Sequence, residues 1–181
     1  MRRSLRWALP LAACLACAAC HSRLMRYPES EKPADCPRGQ PKPLLSRDNK
    51  QLFGPLFRET GQGRAMELAR LEGGIGLIIR HSGCDAVAHE FVFELRGRPA
   101  PVEDRGWWYA RTARLLELIA AGSPDEAGLR IMAKRLDDAS AEAPPYDTPL
   151  PLDDFQSLSL RAAKEDRPER THVTFRYAFK L

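Results

Sequence analysis

The segment Thr171-His172-Val173-Thr174-Phe175-Arg176-Tyr177-Ala178-Phe179-Lys180-Leu181 admits few conformations. Val173, Phe175, Tyr177, Phe179 and Leu181 occupy every second position, with polar or small residues between them. Successive side chains of an extended chain point to opposite faces, so this spacing yields one apolar face only as a β-strand. Such a strand needs a neighbouring strand to pair with and a layer over its apolar face. The rest of the chain must supply them.

Four more segments read as strands. Arg64 to Glu72 and Ile75 to Ser82 are joined across Gly73-Gly74, a glycine pair typical of a hairpin turn. The second of these begins nearly all apolar, which predicts an interior position in the sheet. In His89 to Gly97, Phe91, Phe93 and Leu95 share one face while Glu90, Val92, Glu94 and Arg96 share the other. Ser157 to Ala163 and the closing segment read as a final hairpin around the charged turn Lys164 to Arg170.

Between these strand runs the period changes. Trp108, Thr112, Leu115, Leu116 and Ile119 form one helical stripe, and Glu103 and Asp104 suit its positive N-terminal end. Gly122 stops that helix. Ser123-Pro124-Asp125-Glu126 then reads as a capping box, and Leu129, Met132, Ala133 and Leu136 form the apolar face of a second helix. The proline-rich connector Glu142 to Asp154 cannot be regular helix. The expected fold is α+β: an antiparallel sheet of about five strands, with an αα-hairpin inserted between strands 3 and 4 and packed on one face.

The N-terminus carries a different kind of signal. Arg2, Arg3 and Arg6 precede an apolar run from Trp7 to Ala19, interrupted only by Pro10. A basic head, a short apolar segment and small residues before a cut site make a secretory signal, and the run is shorter than the ~20 residues a membrane span needs. Its end, Ala18-Ala19-Cys20, resembles the lipobox of bacterial lipoprotein signal peptides. In that family the cysteine becomes the first mature residue, bearing diacylglycerol and usually an N-acyl chain such as palmitate. The family favours Leu three positions before the cysteine, where this chain has Cys17; Leu11-Ala12-Ala13-Cys14 is the closer literal match and leaves Cys14 as the alternative lipidated residue. Residue 21 is His, where the family often places Asp for inner-membrane retention. The resemblance therefore implies an outer-membrane anchor facing the periplasm, with membrane contact through the lipid.

These readings divide the chain into a signal over 1–19, a flexible tether over 20–50 and one α+β domain over 51–181. The tether is rich in Pro, Lys, Ser and Arg, and its stretch from Cys20 to Cys36 spans roughly 20–25 Å as a coil. A zinc knuckle in the Cys14–Cys20 region has no matching His or Cys pair downstream. The 28 basic residues of the full chain fall to 25 against 24 acidic once the three signal arginines leave, so no basic excess argues for nucleic acid.

Cys36 and Cys84 survive processing besides the lipid-bearing cysteine. In an oxidising periplasm an even pair is most simply a disulfide, closing a loop of about 48 residues and contributing roughly 4 kcal/mol in the chain-entropy model. A free reactive thiol is the competing reading.

Chemistry concentrates in Arg80-His81-Ser82-Gly83-Cys84-Asp85-Ala86-Val87-Ala88-His89-Glu90-Phe91. His81, Cys84 and His89 could bind zinc, or a Cys–His pair could act as nucleophile and base; an oxidised Cys84 could do neither. This stretch is similar to Gly-Cys turns of small uncharacterised proteobacterial periplasmic lipoproteins, a similarity of a dozen residues that implies no activity. Arg105-Gly106-Trp107-Trp108-Tyr109 is the other conspicuous run. Trp108 lies on the core stripe, which directs Trp107 and Tyr109 elsewhere; Trp107, Arg105 and Tyr146 are the expected partner-binding patch. Asp137-Asp138 and Asp153-Asp154 are paired acids that could serve a glycosidase only if they faced one cleft. No Walker loop, nucleophile elbow, His-Glu-x-x-His or dinucleotide fingerprint occurs, and no cofactor or metal is expected.

The sequence therefore predicts a non-enzymatic, lipid-anchored periplasmic binding protein serving inhibition or envelope maintenance, whose partner is an envelope protein, a toxin or lytic enzyme that it neutralises, or peptidoglycan. The alternative is a small hydrolase or metal-dependent enzyme centred on His81, Asp85 and His89.

Overall fold

The computed structural model describes residues 40–61, 63–83, 86–96, 100–164 and 170–179. Seven strands and two helices follow in the order β1 (Leu52–Gly61), β2 (Arg64–Leu71), β3 (Ile75–Ser82), β4 (Val87–Arg96), α1 (Arg105–Ala120), α2 (Glu126–Glu142), β5 (Leu150–Pro151), β6 (Gln156–Lys164) and β7 (Arg170–Phe179). All seven strands form one sheet in the order β1-β2-β3-β4-β7-β6-β5, antiparallel at every junction.

The α+β class and the single antiparallel sheet are as expected, but the sheet has seven strands rather than five. The αα-hairpin consequently lies between β4 and β5. The two additions are the edges. In β1 the pairing slips between Phe53 and Leu56, where Gly54 takes φ +60 and Pro55 has no N–H to offer a ladder. Glycine bulges and prolines are tolerated at a sheet edge because the outer row of backbone groups faces no strand. At the opposite edge, β5 is two residues long.

The core lies between one face of the sheet and the helices. Inward positions alternate as the periodicity predicts: Leu77 and Ile79 on β3, Phe91 and Phe93 on β4, Val173 and Phe175 on β7 are all buried. β4 and β7 pair over ten residues, from Val87 opposite Phe179 to Arg96 opposite Arg170, and this long register brings the Phe91 and Phe175 rings to 5.4 Å between centroids. Burying such aromatic side chains contributes about 1.5–3 kcal/mol each. The β2–β3 hairpin turns through Glu72–Gly74, with Gly73 at φ +79, a conformation that penalises any residue with a Cβ.

Two helix expectations need correction. Helix α2 is capped by Asp125, whose carboxylate accepts from Gly128 N; Ser123 instead donates its hydroxyl to Leu44 O at 2.7 Å. Tyr109 was expected to point away from the core and is fully buried. The buried positions of α1 come in adjacent pairs, Trp108 with Tyr109, Thr112 with Ala113, Leu115 with Leu116, Ile119 with Ala120. A helix contacting β7 on one side and α2 on the other needs that wider apolar arc.

The N-terminal boundary also moves. Leu44, Leu45 and Asn49, placed in the flexible tether by composition, are buried. Leu44 and Leu45 join the core cluster, and Asn49 Nδ2 donates to Leu118 O at 2.9 Å. The domain thus takes in at least residues 44–50.

Candidate functional site

Glu67 is the unusual residue of β2. The inward positions of that strand are Ala65, Glu67, Ala69 and Leu71, so a carboxylate projects where three apolar residues set the pattern. It is 1% exposed. A buried carboxylate needs donors, and three converge on it: Leu44 N at 2.8 Å on Oε1, Leu45 N at 3.0 Å on Oε2, and His81 Nε2 at 2.7 Å on Oε1. Because the carboxylate only accepts, His81 Nε2 carries the hydrogen. The breach of alternation in β2 was the sequence signal for this residue, and the strand reading passed over it.

Strand register extends the polar line. His81 lies opposite His89 on β4, and His89 opposite Tyr177 on β7. The two imidazoles meet edge to face at 4.9 Å, and His89 stacks on Tyr177 at 5.8 Å with 10° between the planes. Tyr177 donates its hydroxyl to Gln156 Oε1 at 2.9 Å. Burial pushes the pKa of His89 down to about 4, helped by the adjacent His81 and opposed by Glu67. The structure therefore unites His81 and His89, as the enzyme alternative requires. It also buries His81 and commits its Nε2 to a structural carboxylate. Asp85 and Cys84 lie outside the described residues, as do Cys14, Cys20 and Cys36, so neither the lipidation site nor the disulfide has described geometry. Among the described residues no group of His, Cys, Asp or Glu is arranged to hold a metal ion.

The predicted patch of Trp107, Arg105 and Tyr146 is differently constituted. Trp107 is 39% exposed and packs edge-on against Trp108 at 4.7 Å. Arg105 Nε donates to Ala143 O at 2.9 Å, and Tyr146 donates its hydroxyl to Val102 O at 2.5 Å. Both bonds fasten the two ends of the αα-hairpin and its exit. Burial raises the Tyr146 pKa to about 12, so its hydroxyl stays a donor. Of the patch's two rings only Trp107 is exposed; Arg105 is exposed beside it and Tyr146 is half-buried. One acid of each pair is engaged locally: Asp138 binds Lys134 at 2.7 Å, and Asp153 accepts from Phe155 N and Gln156 N.

The other face of the sheet is covered by no described helix. One register row across it reads Leu56, Leu68, Ile78, Val92, Thr174 and Arg161. The next reads Arg58, Met66, Arg80, Glu90, Arg176 and Ser159. An apolar band across four strands is therefore bordered by a band rich in arginine. Leu56 is 54% exposed at the edge, Leu68 and Ile78 are half-buried, and Val92 is shielded at the centre.

No family model, curated protein or solved structure matches the chain.

Proposed function

We propose that the chain is a lipid-anchored periplasmic binding protein of the outer membrane, and that it holds a protein partner of the envelope on the uncovered face of its sheet. The anchor rests on the N-terminal signal and the Cys20 lipobox. The observation that carries the binding face is the row Leu56–Leu68–Ile78–Val92, four apolar side chains in register on the side away from the helices. Contiguous apolar surface rimmed by charge is typical of interaction sites. Among the described residues Arg58, Arg70, Arg80 and Arg176 outnumber Glu90 and Glu94 on that face, so the complementary partner segment is acidic with apolar side chains.

Turnover is not part of this reading. The enzyme alternative has the contact of His81 with His89 in its favour. Against it, His81 is 3% exposed and already bonded to Glu67.

Position-specific crosslinking tests the binding face. A photoreactive residue at Leu68 should capture, in intact cells, an envelope protein whose crosslinked peptide is acidic and apolar. The same residue at Ile131, exposed on α2, should capture nothing comparable. Leu56→Asp should abolish the Leu68 adduct. Capture from Ile131 alone, or equally from both positions, would overturn the assignment.

A further inference from the structure

The uncovered face ends in a depression of about 560 Å³ at the β4–β7–β6 side. Its floor carries Thr174 and Arg176 from β7 with Ser157 and Ser159 from β6, and the connector residues Asp147 and Pro149 form a wall. Two ion pairs border it. Glu90 is bonded by Arg80, its cross-strand neighbour, and Arg161 grips Asp147 with Nε at 2.9 Å and a terminal nitrogen at 2.5 Å. Arg176 stands between these pairs on the same register row as Glu90 and Ser159, exposed and with no ion pair among the described residues.

We propose that this depression is a carboxylate socket: Arg176 receives an Asp or Glu side chain of the partner segment, with the Ser157, Ser159 and Thr174 hydroxyls as auxiliary donors. The inference rests on the binding-face reading and adds the chemistry of its recognition. Three arginines against two carboxylates leave one unit of positive charge, which matches a single carboxylate better than a phosphate dianion. A guanidinium offers its fork to both oxygens of such a group. The apolar row also leads to it, since Val92 is followed across the register by Thr174. A segment laid along that row would bring an acidic side chain over Arg176.

The test uses the full-length lipidated protein in detergent micelles and follows the backbone amide signals of Ser159, Thr174 and Ala178, which line the depression, by ¹H–¹⁵N NMR. The probes are a blocked Leu-Val-Asp-Leu peptide, its Leu-Val-Asn-Leu counterpart and inorganic phosphate. The Asp peptide should give a saturable shift, with the Asn peptide at least about tenfold weaker. Arg176→Gln should remove the preference for Asp and leave the protein folded. Equal binding of the two peptides, a response to phosphate alone, or no response to any probe would each overturn the socket. The two readings also fail separately. If Arg176→Gln leaves the Leu68 crosslink undiminished, the socket falls and the face stands; if the wild-type protein gives no Leu68 crosslink, the face itself falls.

Discussion

His81 Nε2 lies 2.7 Å from Glu67 Oε1, with the two side chains 1% and 2% exposed. That contact joins two neighbouring strands, and the same carboxylate also receives Leu44 N and Leu45 N from the segment that precedes the sheet. One buried group therefore organises three stretches of chain. Its value is best measured by removal.

Glu67→Ala should cost about 3–5 kcal/mol in urea unfolding, because it strands two amide hydrogens and an imidazole without partners. Glu67→Gln should fall between this variant and wild type, since its amide oxygen still accepts. A loss below about 1 kcal/mol for the alanine variant would show that the converging donors find other partners.

Stability should decline on mild acidification through His89. Its pKa is about 4 in the folded protein against an ordinary 6.5, so the folded state holds this ring neutral while the unfolded chain protonates it. The stabilisation is complete above pH 6.5, shrinks as pH falls from 6.5 towards 4, and is gone below that; the whole change is about 3 kcal/mol. His89→Phe should flatten this part of the pH–stability curve. An unchanged slope would place the titration elsewhere.

The αα-hairpin has its own sensitive point. A Cβ built at Gly106 would lie 2.9 Å from Ser140 O, on the backbone of the facing helix. Gly106→Ala should therefore push α1 and α2 apart and cost about 1–3 kcal/mol, despite the better helix propensity of alanine. Thermal unfolding measures it, and a stabilised variant would contradict the close approach.

The adjacent tryptophans should behave oppositely. Trp108 is fully buried and its Nε1 donates to Pro101 O at 3.0 Å. Trp108→Ala should cost about 3–5 kcal/mol, whereas Trp107→Ala should cost about 1 kcal/mol or less. Chemical denaturation of the pair separates the two roles.

Peptide mass spectrometry addresses the cysteines. The mature N-terminus should be an acylated Cys20 followed by His21, and non-reducing maps should recover Cys36 linked to Cys84. An unmodified start at Ser22, or free thiols at both later positions, would refute these assignments.

The periodicity of β2, β3, β4, β6 and β7 made five strands legible because each has one face in the core. β1 escaped notice for a physical reason: Gly54 and Pro55 interrupt it, and an edge strand with mostly exposed side chains shows no clean alternation. β5 is too short to have a period. Tyr109 was misplaced because a single helical stripe was assumed for a helix packed on two sides. The site residues His81 and His89 were visible as types, but their contact depends on the β3–β4 register, which no local pattern reports. Glu67 was legible only as an exception, and its partners Leu44 and Leu45 sat in a segment whose composition looked like linker. Arg176 belongs to a row assembled from strands far apart in sequence, so its setting could not be read from its neighbours along the chain.

The bonds of residues 44–49 set the route by which mechanical load would enter the fold. A pull from the N-terminal side reaches Leu44 and Leu45 first, held by Glu67 on the second strand and by Ser123 between the helices, and then Asn49, held by the Leu118 carbonyl. Only beyond these does the chain become β1, the edge strand whose pairing is already broken at a bulge. Tension is thus shared among anchor points in the interior of the domain before it can peel the weakest strand. A domain hung from a surface by its N-terminus would keep its sheet intact under drag that would otherwise unzip it from that edge.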